Sequence, residues 1–294
     1  MAFNVGTAFD RFCGNLKFTD AKLSTISTRY HSITKRVNLD YWNSSSDTAH
    51  SLYVGSFGRD TEIFSSDIDM LIQLPYSTYQ RFEAYSSNGQ SALLQEVKRV
   101  IQKTYSNTSL NADGQIINIS FSDGEKFEVL PAFERTDGSF LFPNANNGGS
   151  WKITDPRAEI KAINEMNKAC NYNLKNLCRM ARAWKQTNSV PISGILIDIL
   201  AYRFLSNWDN RDKSYVYYDW MSRDFFKYLM EIPRTQTRWQ VMGSGRYIDW
   251  YGSFQSKAKE AYDKAVEAIN DETKYPSCAN SEWREIYGSK FPLL

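Results

Sequence analysis

Residues 55–70 read Gly55-Ser56-Phe57-Gly58-Arg59-Asp60-Thr61-Glu62-Ile63-Phe64-Ser65-Ser66-Asp67-Ile68-Asp69-Met70, and the run continues as Leu71-Ile72-Gln73-Leu74. Asp67 and Asp69 alternate with apolar residues, the pattern of a mostly buried strand, so their side chains share one face. Two carboxylates held side by side repel each other unless cations fill the gap. Hard oxygen donors of this kind suit Mg2+, which keeps waters and takes one or two carboxylates plus substrate phosphates; Mn2+ is the alternative ion. Just upstream, Gly55-Ser56 ends a short strand or opens a turn. A glycine there lets backbone N–H groups approach a phosphate, and the serine hydroxyl adds a donor. An Asp-x-Asp alone is common at strand ends, and a Gly-Ser pair alone is usually a turn. Together, with apolar flanks and a third acid downstream, they read as a site for nucleotide transfer.

The third acid is Glu128. Residues 115–133 form a hairpin by their period-two apolar pattern around Ser122-Asp123-Gly124, and in its second arm Glu128 stands between Phe127 and Val129. Such an acid either faces solvent or, beside the Asp67/Asp69 strand, completes a three-carboxylate cage for two metal ions about 3.5–4 Å apart. In the second case one ion activates an attacking ribose hydroxyl and the other steadies the triphosphate and the leaving pyrophosphate.

Gly55-Ser56, then Ser66-Asp67-Ile68-Asp69-Met70, then Phe127-Glu128-Val129-Leu130-Pro131-Ala132-Phe133 resembles the bacterial CD-NTases, the cyclic GMP-AMP synthase/DncV-like nucleotidyltransferases. The first two blocks are shared across the polymerase-beta superfamily. Narrowing comes from Trp151-Lys152-Ile153-Thr154-Asp155-Pro156 with Asn164 and Asn167, similar to the link between that family's lobes. It comes also from residues 176–185, which resemble its central helix, and from 281–292, which resemble its closing segment. Most relatives carry aspartate at the third-acid position, so Glu128 is a departure.

The resemblance implies an α+β fold: a polymerase-beta-like nucleotidyltransferase lobe, a mixed sheet flanked by helices, plus a C-terminal helical bundle lobe. It implies a synthase that joins ribonucleoside triphosphates, ATP among them with the second base open, into a cyclic di- or trinucleotide with release of pyrophosphate. The product would be a second messenger in bacterial anti-phage signalling that binds a separate effector protein, and the enzyme a monomer. The rival readings are a linear nucleotidyltransferase modifying RNA, protein or a small molecule, and a nucleotide-binding protein without turnover.

The second lobe is expected to hold the donor triphosphate. On a helix over 173–187, Arg179, Arg182 and Lys185 lie three apart and share a face; they are a solvated face or a phosphate grip. The resemblance favours Arg182, placed where relatives often carry a phosphate-gripping lysine, and a forked arginine suits a phosphate. Ser193 either contacts phosphate or caps the helix it begins.

Of the 294 residues, 42% are hydrophobic and 15% aromatic, enough for a sizeable core in one or two lobes. Lys plus Arg number 35 against 33 Asp plus Glu, so no global field marks long nucleic acid as a partner. Cys13, Cys170, Cys178 and Cys278 lack zinc spacing, with only His31 and His50 to help, and scattered cysteines of this kind suit the cytoplasm. No N-terminal basic-plus-apolar stretch appears, and the most apolar run, 192–205, is broken by Asp198 and Arg203, so neither export nor a membrane span is expected.

The elements that must position the site follow from periodicity. A long helix or two fills 7–36 and lies across both lobes, and catalytic strands fill 50–75. An amphipathic helix follows at 89–105, then the hairpin, then a mobile Asn/Gly-rich loop at 135–149 that serves as a boundary. Helices follow at 156–169, 173–187, 192–207, 219–231 and 253–271. This divides the chain into a nucleotidyltransferase core, 1–150, and a helical nucleotide-binding lobe, 151–294. The aromatic cluster at 215–220 reads as core more readily than as a base shelf, and Met242-Gly243-Ser244-Gly245-Arg246 as a turn.

Overall fold

The computed structural model describes residues 4–293. In chain order the elements are α1 (Val5–Asn15), α2 (Asp20–Tyr41), β1 (Ser51–Tyr53), α3 (Gly55–Arg59), β2 (Ile68–Gln73), α4 (Tyr76–Glu83), α5 (Gly89–Gln102), β3 (Ser109–Asp113), β4 (Ile116–Ser120), β5 (Lys126–Glu134), β6 (Phe140–Asn144), β7 (Ser150–Thr154), α6 (Pro156–Ala169), α7 (Asn173–Thr187), α8 (Gly194–Asn207), α9 (Tyr218–Glu231), β8 (Arg238–Gln240), β9 (Tyr247–Asp249), α10 (Gln255–Asp271) and α11 (Pro276–Tyr287). The long N-terminal helix is two helices. Each starts on a side-chain cap: Asn4 accepts from the Thr7 N–H, and Thr19 from that of Lys22.

The chain divides into two compact units. One runs from Thr19 to Arg59 and from Ser65 to Ile160; the other holds the residues up to Phe18, Asp60–Phe64 and the chain from Lys161 onward. The division therefore falls inside α6, not at residue 150. It also assigns α1 and a five-residue piece of the motif region to the helical unit. The Asn/Gly-rich stretch is not the boundary loop expected, because β6 forms inside it and pairs with β5 and β7.

In the first unit the sheet order is β1-β2-β5-β4-β3, with β6 and β7 continuing from β5. Only β2 and β5 run parallel, so the sheet is mixed. Ile68, Met70, Ile72, Ile117, Ile119, Phe127 and Val129 are all buried; they share one face by strand alternation. The apolar stripes of α2 (Ile26, Ile33, Val37) and α5 (Leu93, Leu94, Val97, Ile101) are buried with them. The other face has a small apolar patch of Val54, Leu71, Ala132 and Phe140 backed by Leu52 and Leu130. Just before that patch along the strands the face turns polar.

The helical unit is built on α1, α7–α11 and the β8–β9 hairpin around one large core. At its centre Phe9 sits edge-on to Trp283 at 4.9 Å and to Phe291 at 5.2 Å between ring centroids, a geometry aromatic rings favour. The turn at 242–246 joins β8 to β9. Cys13, Cys170 and Cys178 are buried, Cys278 is exposed, and all four are free thiols. Among the described residues no helix is long and apolar enough to cross a membrane.

Candidate active site

The site is assembled where β1 ends and β2 begins. The Val54 N–H donates to the Asp69 carbonyl at 3.0 Å. Gly55 then takes a φ of +57° and opens α3. A Cβ at position 55 would stand 1.9 Å from Asp69 Oδ2. Only glycine can make this left-handed turn at that distance from the carboxylate.

The third acid arrives by strand register. Asp69 is the Cα partner of Glu128 across the parallel β2–β5 pair. Paired residues share a face, so the two carboxyls meet. Burial pushes Asp69 up from the usual carboxylate range to about 7; the charge of Glu128 adds to the rise, Arg59 opposes it, and Asp67 adds a smaller push. Glu128 is raised as well, by burial first and then by Asp67. Both carboxyls therefore stand above the usual range, and burial and the crowding of like charge favour a proton on the pair. Asp67 lies exposed just ahead of β2.

The expected cage is therefore not closed. Among the described residues no three His, Cys, Asp or Glu side chains stand gathered as a ready metal site. The physical reason is that like charges crowd here and Arg59 offsets them only in part, so protonation of the pair is favoured where no cation is bound. The donor set fits a hard divalent ion: all oxygen, and partly buried. Its backbone cradle is one that a single Cβ would fill.

Arg59, next to Gly58 in the same motif, has Asp60 and Glu62 as its nearest acids in sequence. It is buried and pairs at 3.3 Å with Glu159, a hundred positions away in the chain. No local signal in the sequence could have named that partner. Register also adds two residues that spacing did not reveal: Asn118 is the partner of Glu128, and Asn111 of Asn118.

Residues 3–167, more than half of the chain, match the Second Messenger Oligonucleotide or Dinucleotide Synthetase domain, SMODS. The chain belongs to the SMODS family. It is a nucleotidyltransferase of the bacterial CD-NTase kind. A curated relative, a cyclic AMP-AMP-AMP synthase of an Acinetobacter species, is 22% identical over 83% of this chain and 73% of its own length. Two other curated synthases match over about half of their own length. Among solved structures, Vibrio cholerae DncV cyclic AMP-GMP synthase superposes with a TM-score of 0.70 at 13% identity, covering 95% of this chain and 93% of that one. Escherichia coli MS115-1 CdnC, solved with ATP, gives 0.66 at 16%, covering 97% and 98%. These likenesses establish the polymerase-beta-like fold.

In the helical unit of this SMODS protein, the residues expected to grip phosphate divide sharply. Arg182 is buried and bidentate to Asp198, at 2.6 and 3.0 Å, and its remaining terminal N–H groups reach the carbonyls of Cys178 and Gly194. All four terminal N–H directions are committed, so it ties α7 to α8 and is not a free phosphate clamp. Ser193 accepts from the Leu196 N–H as the N-cap of α8, the structural alternative left open for it. Arg179 is buried against Asp60 and Glu62. Lys185 differs: it is half-buried, makes no ion pair among the described residues, and its ammonium is pulled down by burial and by Arg182. The aromatic cluster is split, with Tyr218 in the core and Tyr215, Val216 and Trp220 exposed.

Proposed function

We propose that the chain condenses ribonucleoside triphosphates, ATP among them, into a cyclic di- or trinucleotide with release of pyrophosphate. The product serves as a second messenger for a separate effector in bacterial anti-phage defence. The observation carrying this reading is the Asp69–Glu128 pair, set in register, short of counter-charge and packed against Gly55. The cyclic nucleotide products that name the relatives support the product class.

Asp67, Asp69 and Glu128 would hold Mg2+, two ions by the number of carboxylates; bound, it makes a ribose hydroxyl a better nucleophile and offsets charge on the triphosphate. For this to happen the raised carboxyls of Asp69 and Glu128 must ionise. Ser56 and the backbone N–H groups at the start of α3 donate to the phosphates, and Lys185 supplies the cation that Arg182 does not. The ribose oxygen bonds to the α-phosphorus as the bond to the pyrophosphate oxygen breaks, and the hydroxyl proton leaves to solvent. Positioning and charge carry the step. A second transfer within the linear intermediate closes the ring.

The test is to incubate the protein with labelled ATP, GTP, CTP and UTP and treat the products with phosphatase before separation. A labelled nucleotide product whose migration phosphatase leaves unchanged supports ring closure, because a ring has no terminal phosphate to lose. Phosphatase-sensitive or polymer-attached label establishes the linear reading instead.

A further inference from the structure

Four strands present one polar row on the face that carries the acids. Asp69 on β2 partners Glu128 on β5, Glu128 partners Asn118 on β4, and Asn118 partners Asn111 on β3. Four side chains therefore stand in line at the roughly 4.8 Å spacing of adjacent strands. Their neighbours along the strands, Met70, Val129, Ile117, Ile119 and Leu110, are buried toward the opposite face. The next row on the acids' own face, Leu52, Leu71 and Leu130, is apolar. Asn118 is half-buried and Asn111 exposed, and among the described residues neither side chain makes a hydrogen bond. Asparagine is disfavoured inside strands, and an amide with no partner adds nothing to the fold. Two of them, in register with the reactive carboxylates, have no structural role to explain them.

We propose that Asn118, with Asn111 behind it, holds the acceptor nucleotide and helps to choose its base; this rests on the transferase reading above. The attacking hydroxyl must sit at the carboxylates, so the rest of the acceptor extends away from them. One strand beyond Glu128, the first polar group on that face is the Asn118 carboxamide. It offers a donor and an acceptor together, the combination that meets a ribose hydroxyl or the edge of a base, and asparagine pairs in two-pronged fashion with adenine. Leu130, the next residue on that face of the adjacent β5, supplies apolar surface for the sugar or base to lie against. Asn118 acts on the acceptor, not on the transferring phosphorus.

The experiment measures pyrophosphate release and the base composition of the products from an equimolar mixture of ATP, GTP, CTP and UTP. It compares wild type with Asn118→Ala, Asn118→Gln and Asn111→Ala. Removing one hydrogen-bonding amide should raise KM about tenfold for Asn118→Ala, with a smaller change in kcat, and change the base ratio of the product. Asn118→Gln should recover part of both, and Asn111→Ala should show a weaker version of the same change. The thermal midpoint of each variant should stay within a degree or two of wild type, since the amides carry no contact within the fold. If wild type turns over while Asn118→Ala keeps its KM and base ratio, or loses activity only in step with a lowered midpoint, the role of Asn118 is overturned. If wild type releases no pyrophosphate from any nucleotide, the transferase reading falls and this one with it.

Discussion

Two clusters of charge, one in each unit, are handled in opposite ways. In the helical unit Arg182 is closed around Asp198, which also accepts from Thr61, while Arg179 and Lys175 pair with Asp60. In the sheet unit Asp69 and Glu128 are set against each other in register and both are raised, and Asp67 adds to the repulsion. A charge folded with its opposite holds structure together. A charge folded against its like costs stability and persists where a ligand completes it. On the proposed function Asp69 and Glu128 would serve the chemistry and Lys185, with no acid beside it, would meet the ligand, while Arg182 ties α7 to α8.

The comparison breaks first at Asp69. Asp69→Asn keeps the shape and removes the charge, so pyrophosphate release should fall by about a thousandfold or more, as when an electrostatic group essential to the transition state is lost. The thermal midpoint at neutral pH should hold or rise, because a repulsion has gone. Loss of activity together with a lowered midpoint would place Asp69 among the structural charges and undo the contrast.

Arg182→Ala should behave in the reverse way. It strands Asp198, which is completely buried, and breaking such a pair from one side costs about 3–5 kcal/mol. Chemical denaturation should show that loss, whereas Arg182→Met with Asp198→Leu should recover most of it. A stable Arg182→Ala protein with a greatly raised KM would return Arg182 to the phosphate-gripping role.

Much of this was legible beforehand, for reasons that differ by element. The helix expected over 173–187 coincides with α7 (Asn173–Thr187), since a strong 3.6-residue period marks a long amphipathic helix whatever surrounds it. The Asp69 strand and the Glu128 arm were legible because alternation survives in a sheet with one open face, although Asp67, expected on the same strand, falls just ahead of it. The edge strands β3 and β7 and the short, polar α4 were not, because short edge elements take their form from their neighbours. The role of Arg182 depends on a partner on another helix. One clue was present in the sequence: Asp198 interrupts the most apolar run of the chain, and a buried acid requires a buried cation.

Gly55→Ala tests the cradle between these extremes. The added Cβ would collide with Asp69 Oδ2 at a positive φ, so either the turn or the carboxylate must shift. Displacing a catalytic group by about an ångström costs roughly a hundredfold in rate, and the strained backbone about 1–3 kcal/mol. Lys185→Ala should do less: a KM for nucleotide raised about tenfold, as for one charge-assisted contact, with stability unchanged because the ammonium has no partner to lose.

The smallest effect is also the one that isolates the protonation of the Asp69–Glu128 pair. The carboxyl of Asp69 titrates near 4 in the unfolded chain and at about 7 in the folded one. Between those values the folded state binds more protons than the unfolded state, so stability contributed by this group is present at the low end of the window and is lost as pH rises through about 7. Without divalent ions the thermal midpoint should therefore drop between pH 5.5 and pH 8 by a few degrees more in wild type than in Asp69→Asn. Adding Mg2+ should remove most of that difference, since a cation replaces the proton and binds only the folded form. If wild type and Asp69→Asn show the same pH dependence, with and without Mg2+, Asp69 holds no proton that matters to the fold, and the contrast between the two units loses its electrostatic basis.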